Sequence, residues 1–277
     1  MPEQPKNARA SAQEPPEARN LWRLVTPVCL VVLVLAHFAL IMRHWRPAIA
    51  HPDANGYWAQ AGLLVRTGRT WFVPESNVQY VGMHWLLTPS GRYVCRYPAG
   101  LPVLVALVYG LAGWKLSLLV NPLLAALTLV ALFLLTRRLL NGWWGLAAAA
   151  ALAINPLFNE HALTAISHMA VTCALTWGIY LLVRWSEERR LWQAFAAGLV
   201  LGWIPTVRYP EALFGLGVAV FLLWHVLRER RLWGHALVAL AGGVLLVLAL
   251  AVRNQLVMGA FWRTGYALTN EQTGFGW

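Results

Sequence analysis

The sequence predicts an all-α, polytopic membrane protein with about seven transmembrane helices and a large first outer loop that carries interfacial helices. Hydrophobic residues make up 59% of the 277 positions and charged residues only 12%, and the mean hydropathy is +0.54, outside the usual range of soluble domains. Long apolar runs alternate with short loops rich in arginine, the pattern of membrane helices flanked by topology signals. Sixteen tryptophans fit the same class, because an indole suits the boundary where one edge is apolar and the other wet.

The opening stretch, residues 1–21, is rich in Pro, Ala, Glu and Gln without apolar periodicity and is expected to be a disordered cytoplasmic tail. The next apolar run, 24–43, has the length of a membrane span and exceeds the hydrophobic core of a cleavable signal peptide. Lys6, Arg9, Arg19 and Arg23 precede it and put the N-terminus in the cytoplasm. Next comes the first outer loop, 44–114, with a short helix headed by Asp53, a hairpin around "LLTPSGRYV", and the apolar segment "PAGLPVLVALVYGLAGW".

That last segment fixes the orientation of everything downstream. If it crossed the bilayer, the clusters Arg137/Arg138, Arg184/Arg189/Arg190 and Arg228/Arg230/Arg231 would all face outward. Placed at the interface or re-entrant, it leaves all three clusters cytoplasmic, as the excess of basic residues on cytoplasmic loops requires. The remaining spans then fall at 116–136, 143–158, 163–184, 191–206, 211–227 and 235–256. The membrane module is therefore expected to cover 22–257, with 258–277 as an outer segment and, on one reading, the start of a C-terminal part.

The net charge of +11 does not indicate nucleic acid, because the basic residues sit in small inter-span clusters rather than along one polar face. Cys29, Cys95 and Cys173 have no CxxC or disulfide spacing and read as packing residues. On this topology the unusual polar residues gather at the outer ends: Asp53, Asn159, Glu160, His161, His168, Arg208, Tyr209, Glu211, Arg263 and Glu271. The chemistry is expected on that face.

Asp53 is the only aspartate in the chain. Ahead of a helix it reads either as an N-cap, worth about 1 kcal/mol, or as a carboxylate available for proton transfer or metal binding. Arg208 lies between two apolar runs, where a guanidinium is costly unless it is paired or faces a cavity. It is either a structural partner of Glu211 or a phosphate-binding group, with Tyr209 beside it to stack on a sugar. Glu160, His161 and His168 are weak metal candidates together with Asp53, since "EHxxxxxxH" is no dedicated ligand spacing. Arg96 and Tyr97 precede the interfacial segment and are secondary candidates for donor binding.

Asp53, Tyr57, Ala61, Leu64 and Gly68 of a "DxxxYxxxAxxLxxxG" helix are followed by the "YPAG" turn from Tyr97, the Asn-led run "NPLLAALTLVALFLLTRRLLNG", a "P…SH" outer loop, "TVRYPEA", and "NQLVMGAFWRTGY". In order and spacing these motifs resemble the integral membrane glycosyltransferases of the GT-C fold. The protein is similar to bacterial enzymes of the protein O-mannosyltransferase and aminoarabinose-transferase type. The resemblance implies an inverting transfer of a sugar from a polyprenyl-phosphate carrier to a glycan, lipid or protein acceptor on the outer face of the plasma (inner) membrane. It also implies Asp53 as the catalytic residue, Arg208, Tyr209, Tyr57, Arg96, Tyr97 and His168 as substrate-binding residues, and leaves a divalent metal ion open as cofactor. Ala54 stands where eukaryotic relatives carry a second acidic residue, so a paired-carboxylate mechanism is not expected. A lipid-carrier flippase or transporter, or a non-catalytic membrane subunit, is the competing class. A transporter calls for ionisable groups at the bilayer midplane, and His37 is the one such residue of the first span.

Overall fold

The structure is a computed structural model that describes residues 16–76, 79 and 81–269. Among the described residues, ten α-helices, three short 3-10 helices and one small sheet make up the regular elements. Helix α1 spans Pro16–His44, α2 Pro52–Thr67, α3 Gly100–Ser117, α4 Val120–Leu139, α5 Gly142–Ala153, α6 Pro156–Leu163, α7 His168–Glu188, α8 Leu191–Val207, α9 Phe214–Arg228 and α10 Trp233–Met258. Strands β1 (Trp71–Phe72), β2 (Trp85–Leu87) and β3 (Tyr93–Cys95) form an antiparallel sheet in the order β1-β3-β2. Residues 16–21 of the expected tail are the first turns of α1, and residues 1–15 lie outside the described residues.

This is an all-α polytopic membrane protein. Six of the described helical segments are long and apolar enough to cross a bilayer: Val25–His44, α3, α4, α7, Pro210–Arg228 and Arg230–Met258. The outward surfaces of α1, α9 and α10 expose Val31, Val32, Leu35, Val220, Leu223, Leu227, Leu245 and Leu248, which only a lipid environment accommodates. Two expected spans are shorter. Asn155 and Pro156 end α5 after 12 residues and start α6, since the Asn155 side chain caps the new helix by accepting from Phe158 N–H at 3.0 Å. Helix α8 has 17 residues.

Helix α3, expected at the interface, qualifies as a span by length and composition. It is nevertheless broken at Gly113, whose φ of 84° and ψ of 167° are not helical. The regular part before the break measures about 20 Å at about 1.5 Å per residue, against a hydrocarbon core of about 30 Å.

Small residues set how the bundle closes. Added Cβ atoms at Gly198 and Gly202 of α8 would fall 1.9 Å from the Ala239 carbonyl oxygen and 2.5 Å from the Gly243 Cα of α10, so the two backbones touch as in small-residue membrane interfaces. Because 198 meets 239 and 202 meets 243, α8 and α10 run parallel. The expected hairpin is present: Leu86 pairs with Val94 and Leu87 with Tyr93, and Gly91 takes the left-handed conformation at φ 74° that the turn needs.

Candidate active site at one end of the bundle

Helices α4 and α7 carry different chemistry at their two ends. At one end Arg138 holds Glu187 and Glu188 at 2.5 and 2.7 Å, and Glu188 also pairs with Arg184 at 3.0 Å. At the other, the Asn121 amide donates to the carbonyls of Thr164 and Ile166 at 2.5 and 2.8 Å, which ties the start of α4 to the turn before His168. The polar residues picked out by the sequence collect at this second end.

Asp53 reaches it through α2. Pro52 opens that helix, and the His51 side chain caps it by accepting from the Asp53 N–H at 3.2 Å. Asp53 therefore sits in the first turn and is not the N-cap, which removes the capping alternative. Its carboxylate is left free to pair with His84, Oδ1 to Nε2 at 3.2 Å; the Asp53 side chain is 38% exposed, whereas that of His84 is 6% exposed. On its far side His84 Nδ1 is 3.4 Å from the Tyr97 hydroxyl. Burial, reinforced by Asp53, pushes the Tyr97 phenol well above its ordinary pKa. Tyr97 stacks on Tyr57 with ring centroids 4.6 Å apart, and the Tyr57 hydroxyl donates to Ser167 Oγ at 2.8 Å. The "DxxxY" helix, the "YPAG" turn and the "SH" turn thus meet in one place. Gly100, at the end of the "YPAG" turn, brings the start of α3 against α8, since a Cβ there would lie 2.5 Å from the Thr206 carbonyl oxygen.

Arg208 ends α8 in extended backbone. It forms an ion pair with Glu211 at 2.5 Å and donates from Nη1 to His168 Nε2 at 2.8 Å. A ring nitrogen that accepts from a guanidinium carries no proton, so His168 is the neutral imidazole with its hydrogen on Nδ1. His161 stacks on His168 at 4.6 Å, and burial lowers the His161 pKa, with Glu160 opposing and Arg208 adding to the drop.

Arg96 lies over two rings, 5.2 Å from that of Tyr97 and 5.4 Å from that of Tyr266. Tyr266 belongs to the "TGY" element, and Gly265 lets it close in: a Cβ there would lie 2.2 Å from the Arg96 carbonyl oxygen. Tyr209 meets Tyr266 edge to face at 6.1 Å. Burial raises the Tyr266 phenol; Arg96 and Arg208 pull it down, and Asp53 and Glu211 push it up. Tyr266 is thus in ring contact with Tyr97, Tyr209 and Arg96.

Glu160 is exposed, and among the described residues no group of three or more His, Cys, Asp or Glu side chains is arranged to hold a metal ion. The donor set does not fit a metal centre. Glu271 lies outside the described residues.

Four residues of the site were not singled out from sequence. Ser167 stands inside the "SH" motif and Tyr266 at the end of "NQLVMGAFWRTGY", with no local feature that marks either as a site residue. His84 sits in a loop without periodicity, where nothing local marks it. Arg253 did leave a signal, as a cation inside the apolar run of α10; it reaches Gln60 Oε1 at 3.5 Å and Asn254 Oδ1 at 3.2 Å.

Residues 97–254 match the family described as dolichyl-phosphate-mannose-protein mannosyltransferase. The chain belongs to that family. It is accordingly a multi-pass membrane glycosyltransferase of the kind that draws on a polyprenyl-phosphate-linked sugar. Among curated proteins none matches the chain. The mannosyltransferase-family match contains Tyr97, His161, His168, Arg208, Tyr209 and Arg253 and stops short of Asp53, Tyr57 and Tyr266.

Proposed function

We propose that this chain transfers a sugar from a polyprenyl-phosphate carrier to an acceptor hydroxyl on the outer face of the plasma membrane, with inversion at the anomeric carbon. The observation that supports it is a cationic half-site, Arg208 on His168, joined to a carboxylate half-site, Asp53 on His84, by the run of contacts His84–Tyr97, Tyr97–Tyr57 and Tyr57–Ser167. The anomeric C–O bond to the carrier phosphate breaks as the acceptor oxygen bonds to that carbon from the opposite side. Charge gathers on the departing phosphate, where the Arg208 fork stabilises it. Asp53 takes the acceptor proton, and His84 fixes the carboxylate's direction. Tyr57, Tyr97 and Tyr209 supply aromatic surface for the sugar.

The carrier's tail has a matching groove. A cavity of about 370 Å³ lies between α8, α9 and α10, lined by Leu201, Pro205, Phe214, Val218 and Val244, with Glu211 of the Arg208 pair also on its wall. A phosphate at Arg208 would thus have apolar surface beside it for its isoprenoid chain. The outer-face assignment rests on the arginine clusters at the opposite end of α4 and α7.

The test is carrier binding. Arg208→Ala should weaken polyprenyl-phosphate binding, read by native mass spectrometry, by about tenfold or more. Arg208→Lys should restore only part, since an ammonium lacks the bidentate fork. Equal carrier affinity in wild type and both variants would reject the phosphate role.

A further inference from the structure

Where α4 and α7 end side by side, a cavity of about 280 Å³ opens between them, lined by Leu134, Arg137 and Arg138 of α4 and Tyr180 of α7. It lies at the end of the bundle opposite the candidate active site, where Arg138 meets Glu187 and Glu188. Its two arginines stand outermost, in the last turn of α4. Leu134 lies one turn further in, about 6 Å at about 1.5 Å per residue, and Tyr180 two turns inward of Glu188 on α7, about 12 Å by the same measure. We infer that this cavity binds the phosphate headgroup of an anionic phospholipid in the leaflet at the arginine-rich end.

The groups still free to bond there call for an anion. Among the described residues Arg137 forms no ion pair, and its guanidinium lies 6.0 Å from the Phe133 ring. Arg138 gives Nε and Nη2 to Glu187 and Glu188, which leaves Nη1 as a donor. Tyr180 meets Trp177 edge to face at 5.7 Å and can add its hydroxyl. The carboxylates of that end are already held: Glu187 by Arg138, Glu188 by Arg138, Arg184 and Arg190, and Glu229 by Arg189 and Arg231. No acid of the protein therefore answers Arg137. Phosphate oxygens do, because they accept charge-assisted bonds from a guanidinium fork.

The inner wall selects a lipid over a free anion. Leu134 and Tyr180 lie within the spans Val120–Leu139 and His168–Glu188, so glycerol and acyl carbons would cover surface that inorganic phosphate leaves bare. Cations outermost and apolar surface inward is also the order of groups along a phospholipid in its leaflet, and basic pockets between membrane helices hold such headgroups. A zwitterionic headgroup would bring an ammonium toward Arg137 and Arg138, which favours an anionic one.

The experiment is lipid retention by the full chain. Native mass spectrometry of protein released from nanodiscs that hold phosphatidylglycerol and phosphatidylcholine in equal amounts, with identical tails, should show phosphatidylglycerol retained in preference. Arg137→Gln should lower that retention about tenfold, the scale of a lost bond to a charged group, and Tyr180→Phe about threefold. Both variants should melt close to wild type, since Arg137 is exposed and phenylalanine keeps the Tyr180 ring. Arg228, which lies over the Trp224 ring at 3.9 Å and outside the cavity, is the control, and Arg228→Gln should leave retention unchanged. Equal retention of the two lipids by wild type would remove the selectivity for an anionic headgroup and with it the site. Equal losses in Arg137→Gln and Arg228→Gln would reduce the effect to the general charge of that end and overturn the site as well. Release of the lipid by inorganic phosphate would overturn the lipid assignment in favour of a free anion.

Discussion

At the residue scale, the decisive feature is what Asp53 does. Because His51 caps α2, the carboxylate contributes to the helix only as a favourable first-turn charge, worth about 0.3–1 kcal/mol. Asp53→Asn should therefore leave expression, melting temperature and carrier binding near wild type while sugar transfer falls about a hundredfold or more. Transfer persisting at the wild-type rate would remove the carboxylate from the mechanism. His161 makes a prediction about acid. Its folded pKa lies below its ordinary 6.5, so above 6.5 the imidazole is neutral in both the folded and unfolded states and pH has no leverage through it. As the pH falls through 6.5 the unfolded chain takes up a proton that the fold resists, and stability is lost. His161→Gln should lessen the drop in melting temperature between about pH 7 and about pH 5; an unchanged drop would show that His161 is not its source.

At the scale of elements, the α8–α10 contact organises the site, because α8 delivers Arg208 and α10 delivers Arg253 to the same end. Its closeness depends on glycine. Gly198→Ala would drive a methyl group into the Ala239 backbone and should cost about 1–3 kcal/mol, as overpacking does. Gly215→Ala on α9 meets nothing within 4 Å and should stay within about 0.5 kcal/mol of wild type. Thermal unfolding in one detergent compares the two, and similar losses would contradict the packing account. Helix α5 shows why element boundaries were only partly legible. Its poly-alanine run reads as one apolar span that continues to residue 158, yet the Asn155–Pro156 pair supplies a cap and a first-turn proline that restart the helix.

At the scale of the whole molecule, the arrangement predicts one accessible face for the chemistry. Cysteines introduced at 137 and 228 should be protected from a membrane-impermeant maleimide applied outside, whereas those at 161 and 208 should react, because the arginine clusters mark the cytoplasmic end. The native cysteines give a low background: Cys95 and Cys173 are buried, and Cys29 lies within α1. Labelling of 137 or 228 with 161 spared would invert the orientation and move the site to the cytoplasm.

The sequence by itself determined the membrane class, the run of helices, the hairpin and the separation of cationic ends from the end bearing Asp53, His168 and Arg208, because hydropathy and charge report directly on the solvent each segment must occupy. It also carried enough ordered motifs to indicate the family. Tertiary structure alone decided which polar groups meet. Nothing local in "VGMHW" announces that His84 will hold Asp53, nor in "RTGY" that Tyr266 will pack against Arg96, Tyr97 and Tyr209. Those contacts join segments far apart in the chain, and that of Tyr266 with Arg96 depends on the close approach at Gly265. Periodicity encodes the environment of a residue, whereas its partners are fixed only when helices and loops pack against one another.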